Sequence, residues 1–115
     1  MYYTISCGKS KGEVSWLNVS KVILDDGYSY VKTYGNVVCI KYYSTNAIPI
    51  SGARVVNEGY SPKRSLNFVG KAFYNNSNDW CLFELDTDGI LYAKTKDNNS
   101  IISVGWPTFT LTYVI

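Results

Sequence analysis

Three carboxylates lie close together in the sequence, at Glu84, Asp86 and Asp88, and paired carboxylates are the groups that hydrolyse glycosidic bonds. Asp86 and Asp88, however, belong to Asp86-Thr87-Asp88-Gly89, a string typical of a tight turn in which Asp bonds its own backbone. The string also resembles part of a calcium loop, but the distal glutamate of such a loop is missing. Without any histidine, a serine or cysteine nucleophile would lack its usual base. We therefore expect no catalytic residues, no metal site and no enzymatic activity.

The three cysteines, Cys7, Cys39 and Cys81, are widely spaced and odd in number. Zinc sites use closely spaced cysteines or histidines, so this spacing predicts no zinc, and no cofactor is expected. An odd count also disfavours a secreted disulfide scaffold, while a single disulfide stays open. Cys39 and Cys81 lie in apolar runs and are interpreted as small buried hydrophobic residues.

Ligand binding through exposed aromatic side chains fits the sequence better than catalysis. Aromatic residues make up 16% of the chain, and tyrosine predominates among them; tyrosine suits strand faces, interfaces and sugar faces alike. Each tryptophan, including Trp16, borders a turn-rich segment, and the residues between 75 and 79 could bond sugar hydroxyls. The predicted ligand-binding residues are Trp80, Asn76, Asn78, Asp79 and Trp106.

Two alternatives stay open for these tryptophans. Trp80 could begin a strand and pack inward. Trp106 forms a rigid pair with Pro107, which suits a core plug or a contact between subunits equally well.

Charge and hydropathy exclude several classes of partner. The chain has 11 basic and 9 acidic residues, and a net charge of +2 is too small for a nucleic-acid interface. No run approaches the roughly 20 apolar residues of a membrane helix, so no membrane insertion is expected. The N-terminus lacks the features of a signal peptide, which predicts synthesis in a reducing cytoplasm.

Short apolar runs separated by turn-forming clusters predict an all-β antiparallel fold, a β-sandwich or jelly-roll-like barrel of about 8–10 strands. No substantial helix is expected, because no apolar period of 3.6 lasts for more than a turn. Clusters at 25–27, 35–36, 75–79, 86–89 and 96–99 are predicted turns or loops. The predicted strands cover residues 2–7, 14–24, 28–34, 37–43, 55–56, 65–74, 80–85, 90–95, 101–104 and 108–115.

The final strand has the clearest pattern in the chain. Polar and apolar residues alternate, so Phe109, Leu111, Tyr113 and Ile115 should point inward and the threonines at 108, 110 and 112 outward. Pro107 cannot donate to a ladder and is expected at the start of a strand. We expect one domain over 1–115, completed by this strand, with 1–27 as a strand extension or a connection to a preceding segment.

Four segments in order resemble small C-terminal domains of phage tail proteins. Residues 30–40, centred on Gly35-Asn36-Val37-Val38, resemble a V-x-K-x-G-N-V-V-x-I hairpin. Asn57-Glu58-Gly59-Tyr60-Ser61-Pro62 resembles P-x-G-Y-R-P, without the first Pro and with Ser in place of Arg. Asp88-Gly89-Ile90-Leu91 is similar to an x-D-G-x-I hairpin, and Thr110-Leu111-Thr112-Tyr113-Val114-Ile115 to a closing S-x-T-Y-x-x. The resemblance spans about residues 28–115.

This resemblance implies a receptor-binding head on a tail fibre or baseplate protein of the virion, synthesised in the bacterial cytoplasm. Such heads are commonly homotrimers that adhere to bacterial surface glycans and contact other tail or baseplate proteins. The family has no fixed binding residues, so the resemblance transfers no site. Two alternatives remain: a structural module that caps or trimerises a virion fibre, and a carbohydrate-binding module from a bacterial glycosidase.

Overall fold

The computed structural model describes residues 21–115. The predicted strand at 2–7, most of the one at 14–24, Cys7 and Trp16 lie outside the described residues. Within 21–115 there are nine strands, one 3₁₀ turn at Glu58–Tyr60, and no helix long and apolar enough to cross a membrane. The strands are β1 Lys21–Asp25, β2 Tyr30–Tyr34, β3 Val37–Tyr43, β4 Ala53–Arg54, β5 Leu66–Tyr74, β6 Ser77–Leu85, β7 Ile90–Lys94, β8 Ile101–Ile102 and β9 Gly105–Val114.

These strands form one antiparallel sheet that curls into a half-barrel, which confirms the predicted all-β class. The strand order is β1-β2-β3-β9-β5-β6-β7-β4, and β8 pairs with β7. The last strand therefore lies in the middle of the sheet. β9 pairs with β3 from Val37 to Tyr43, and with β5 at Lys71 and Phe73. In this path it joins the β1–β3 half of the sheet to the β5–β7 half.

The concave face of the curled sheet carries the core. Alternate residues of each central strand point inward, among them Ile40 of β3, Phe83 of β6, Leu91 of β7 and Phe109 of β9, all buried. The pattern predicted for the final strand is confirmed, because Phe109 and Tyr113 are buried, Leu111 and Ile115 are half-buried, and the three threonines are exposed.

The hairpin turns follow from residues that tolerate positive φ. Gly35 (φ 62°) lies in the turn between β2 and β3, as predicted, and Gly89 (φ 86°) completes the turn between β6 and β7.

The predicted loop at 75–79 is wrong. Asn75 and Asn76 both take positive φ (52° and 59°), which closes a two-residue turn, so β6 already begins at Ser77. The first residues of β6 are polar, and this composition, which is typical of a loop, is why the segment was not predicted as a strand.

Two strand positions also differ from the prediction. The short strand expected at 55–56 lies at Ala53–Arg54, because the N–H groups of Val55 and Val56 donate to the Gly89 carbonyl instead of to a ladder. Pro107 is the third residue of β9 and not its first. The β5–β9 register shifts between Lys71 and Phe73, and this bulge accommodates the missing N–H of the proline.

Both described cysteines are buried, as the sequence predicted. Cys39 is disulfide-bonded, whereas Cys81 is a free thiol. Burial raises the pKa of the Cys81 thiol, so it stays protonated near neutral pH and is a poor nucleophile.

Gly70 allows β9 and β5 to pack closely. A Cβ at Gly70 would overlap the Thr108 carbonyl oxygen and would lie 2.8 Å from both Phe109 Cβ and Phe83 Cε2. Three phenylalanine rings fill this part of the core, with centroid separations of 4.7 Å between Phe68 and Phe109 and 5.6 Å between Phe83 and Phe109. The lack of a side chain at Gly70 is therefore a packing requirement.

We predict that Gly70→Ala destabilises the domain by about 1–3 kcal/mol, the usual range for overpacking a tight core. Urea unfolding measures the change in the free energy of unfolding. Gly59→Ala is the matched control, because a Cβ there meets no atom within 4 Å and φ is not positive. Equal stability of the two variants would contradict the packing argument.

Candidate functional site

β6 runs past the end of its neighbour β7, and a pocket opens beside the overhang. The ladder between these strands begins at the Leu82–Lys94 pair, so among residues 21–115 β7 gives no partner to residues 77–81 of β6. The pocket has a volume of about 500 Å³ and is called the edge pocket below. Its lining residues include Ala72, Cys81 and Ile102 on the core side and Asp79, Trp80 and Lys96 at the rim.

Trp80, Asp79 and Lys96 form one contact group at this rim. Lys96 Nζ donates to Asp79 Oδ2 at 2.7 Å and lies 4.6 Å from the centroid of the Trp80 ring. Trp80 is still 42% exposed. The hydrogen bond from Lys96 is the main reason that the pKa of Asp79 lies below its usual value, followed by the bond that the Trp80 backbone N–H donates to Asp79 Oδ1. The rim thus has an ionised carboxylate and an ammonium fixed beside an open indole.

The turn after β7 holds Lys96 in place. Thr95 Oγ1 donates to Asp97 Oδ1 at 2.6 Å, and the Asn99 backbone N–H donates to the same oxygen at 3.0 Å. The Thr95 hydroxyl is also the main cause of the lowered pKa of Asp97. Asn98 takes a positive φ of 64° and completes the turn. These local bonds reduce the freedom of the backbone that carries Lys96.

The convex face of the sheet, called the outer face below, carries a second set of exposed aromatics. Lys71 pairs directly with Trp80 in the β5–β6 ladder, and Phe73 pairs with Asn78, so these four side chains share that face. The Trp106 ring meets the Phe73 ring edge-on, with centroids 5.4 Å apart. Trp106 is 52% exposed and has φ of 41°, a conformation that is rare for a bulky residue.

The predicted site residues therefore divide into three places. Asp79 lines the edge pocket, Trp80 lies at the pocket rim and also belongs to the outer face with Asn78 and Trp106, and Asn76 occupies the hairpin turn outside the pocket. The predicted exposure of both tryptophans is confirmed, and the inward-packing alternative for Trp80 is wrong.

Sequence reasoning missed several pocket residues, chiefly Lys96, Asp97 and Tyr74. Lys96 and Asp97 were recognised only as part of a turn. Their proximity to Trp80 depends on the alignment of β6 with β7, since continuing the register two pairs beyond Leu82–Lys94 would place Lys96 opposite Trp80. Knowledge of the β6–β7 register would have been needed to identify Lys96 and Asp97 as pocket residues.

Two of the three carboxylates between 84 and 88, Asp86 and Glu84, have structural roles. Asp86 Oδ1 accepts from the backbone N–H groups of Asp88 and Ile90, each at 2.9 Å, which confirms the turn interpretation. Glu84 pairs with Lys94 at 2.8 Å. Across residues 21–115 no group of three or more His, Cys, Asp or Glu side chains could hold a metal ion.

Comparison with protein-family models finds no match to this chain, and a search of curated proteins finds no matching sequence.

We predict that Lys96→Gln raises the pKa of Asp79, because the charged donor that stabilises the carboxylate is lost. The rise should be partial, since the Trp80 N–H still donates to Oδ1. An NMR titration of the side-chain carboxyl carbon measures this pKa. Lys63→Gln removes another exposed lysine and should leave Asp79 unchanged. An Asp79 that titrates identically in wild type and Lys96→Gln would rule out the ion pair as the cause.

Proposed function

We propose that this chain is a non-enzymatic adhesion module of a phage tail, and that it binds a saccharide of the bacterial surface. The observation that carries the proposal is the exposed Trp80 indole at the rim of the edge pocket, with Asp79 and Lys96 fixed beside it. A flat aromatic surface suits the C–H face of a sugar ring, and neighbouring charged groups can bond its hydroxyls.

The state of the pocket carboxylates supports binding over hydrolysis. A glycosidase needs one carboxylic acid with a raised pKa to protonate the leaving oxygen. The pKa values of Asp79 and Asp97 are instead lowered, by Lys96 and by the Thr95 hydroxyl respectively. Both groups accept hydrogen bonds as ionised carboxylates, which suits them to hold sugar hydroxyls.

The motifs that resemble phage tail domains are connected by hydrogen bonds in the folded chain, which supports that part of the proposal. Tyr113 Oη donates to the Tyr60 carbonyl oxygen at 2.6 Å, and Ser61 Oγ donates to the Thr87 carbonyl oxygen at 2.6 Å. The backbone N–H of Ile115 donates to the β2–β3 turn at 2.9 Å. These bonds link the first, second and fourth motifs to one another and to Thr87, the residue that directly precedes the third motif. We interpret the motifs as residues that stabilise the fold. The sequence of the ligand-binding loops can then vary between proteins that share these motifs.

We predict that Trp80→Ala weakens saccharide binding about tenfold or more, because stacking and its buried apolar area are lost together. A glycan array of bacterial surface saccharides identifies a ligand, and isothermal titration calorimetry measures the affinity of each variant. Trp80→Phe should keep part of the affinity. Tyr28→Ala removes another exposed aromatic and is the control. Unchanged affinity in Trp80→Ala would exclude the edge pocket as the binding site.

The proposed module acts as a homotrimer. Val114 on β9 and Val22 on β1 are both more than half exposed and supply apolar surface for a second copy. Val114 lies eight residues along β9 from Trp106, about 27 Å at the rise of an extended strand. Contacts between subunits at that end would leave the Trp80 region open, and three linked sites can raise apparent affinity by ~10²–10⁴.

We predict a trimer in sedimentation equilibrium at micromolar concentration, and Val114→Lys should shift it toward monomer by placing a charge in the contact. Thr110→Lys, on the same strand face but nearer its middle, is the comparison variant. A wild-type chain that stays monomeric at high concentration would argue against the trimer. An intact trimer without hits on the glycan array would favour a structural capping module instead.

A further inference from the structure

We infer that the ligand is an extended acidic saccharide, which lies across the outer face from Trp80 on β6 to Trp106 on β9 and places an anionic group on Lys71 of β5. This inference rests on the proposed saccharide-binding function and specifies the size and charge of the ligand. It extends the site beyond the edge pocket.

The strand register places these three residues on one surface. Lys71 is the direct partner of Trp80 on one side and of Thr108 on the other. Direct partners in an antiparallel sheet have their side chains on the same face. Trp106 joins that face through its edge-on contact with Phe73, two residues along β5 from Lys71. Residues of the opposite face, such as Ala72 and Phe109, are buried in the core.

The separation of the tryptophans sets the size of the ligand. Two strand spacings and one two-residue step separate Trp80 from Trp106, which corresponds to about 12 Å. A single pyranose ring is too small to contact both indoles. A ligand that uses both must therefore be an oligosaccharide, with its middle units over Lys71 and Thr108.

Charge at the centre of this surface sets the class of saccharide. Of the lysines nearest to Trp80, Lys96 is paired with Asp79 and Lys94 with Glu84. Lys71 is exposed and forms no ion pair with any carboxylate of the described chain, 21–115. Its charge lowers the pKa of Asp79 only as a minor contribution, after Lys96. An exposed ammonium between two aromatic surfaces complements an acidic sugar unit.

The backbone of Trp106 provides an independent indication. This residue has φ of 41° although it is neither glycine nor asparagine, and its ring is half exposed. Strained conformations of bulky residues concentrate at ligand-binding positions, where the surrounding structure fixes them. Here the next residue, Pro107, is buried and anchors the strand, while the Phe73 ring supports the indole from the side. Trp106 is thus held outward by the fold.

The experiment compares oligogalacturonates of one to six units with fully methyl-esterified oligomers of the same lengths, which have the same rings without the charge. Calorimetry at low and high salt measures each affinity. We expect the charged series to bind more tightly, to gain affinity until the chain is long enough to span both tryptophans, and to lose that preference at high salt. Equal affinity for charged and esterified hexamers would overturn the acidic-ligand inference.

Matched variants separate the individual contributions. Lys71→Gln should weaken the charged hexamer roughly two- to fivefold and leave the esterified hexamer unchanged, as for an exposed ion pair. Trp106→Ala should weaken the hexamer and leave the dimer unchanged, because a dimer cannot reach both indoles. Lys63→Gln is the charge control, and urea unfolding of each variant checks that the fold is retained.

The outcomes distinguish this inference from the proposed function. If Trp80→Ala loses binding while Lys71→Gln and Trp106→Ala behave as wild type, saccharide binding stands and the extended acidic site is wrong. If the wild-type protein binds neither series and gives no hit on the glycan array, the proposed function fails as well.

Discussion

The close contact between β9 and β5 over Gly70 is the constraint on which the rest of this fold depends. β9 is the link between the β1–β3 half of the sheet and the β5–β7 half, and it pairs with β5 at only two positions. A side chain at Gly70 would overlap the carbonyl of Thr108, one of those positions. The same gap lets the rings of Phe68, Phe83 and Phe109 pack together beneath the joint. Sheet continuity and core packing therefore depend on one missing side chain.

That joint also assembles the candidate site. Trp80, Lys71 and Trp106 belong to three different strands, and Trp106 lies more than thirty residues along the chain from Lys71. They share the outer face because β5 meets β9 in this register, and a slip of one residue would turn the β9 side chains toward the core. The bulge beside Pro107 fixes both the register and the outward direction of Trp106. The positive φ of Trp106 at the surface therefore depends on the same β5–β9 contact that packs the core.

Features of the fold could be predicted from the sequence where they depend on residues close together in the chain, and not where they depend on pairing between distant strands. Alternation identified the buried face of β9, and Gly-Asn and Asp-Gly pairs located two hairpins, because both signals lie within a few neighbouring residues. The 75–79 segment was misread because its polar composition is typical of a loop, whereas two asparagines with positive φ were enough for the turn. Lys96 and Lys71 were missed as partners of Trp80 because their proximity depends on pairing between strands, which composition does not specify.

The charge arrangement supports the proposed binding role over bond cleavage. The carboxylates nearest the edge pocket accept hydrogen bonds from a lysine, a threonine hydroxyl or backbone N–H groups. Each of these donors stabilises the ionised form, so the carboxylates are poor proton donors. What remains available to a ligand is fixed charge and flat aromatic area, and each such contact on an exposed surface is weak. A module built this way gains strength by extending the contact surface or by repeating it. The roughly 12 Å span between the tryptophans suits the first route, and the proposed trimer would supply the second.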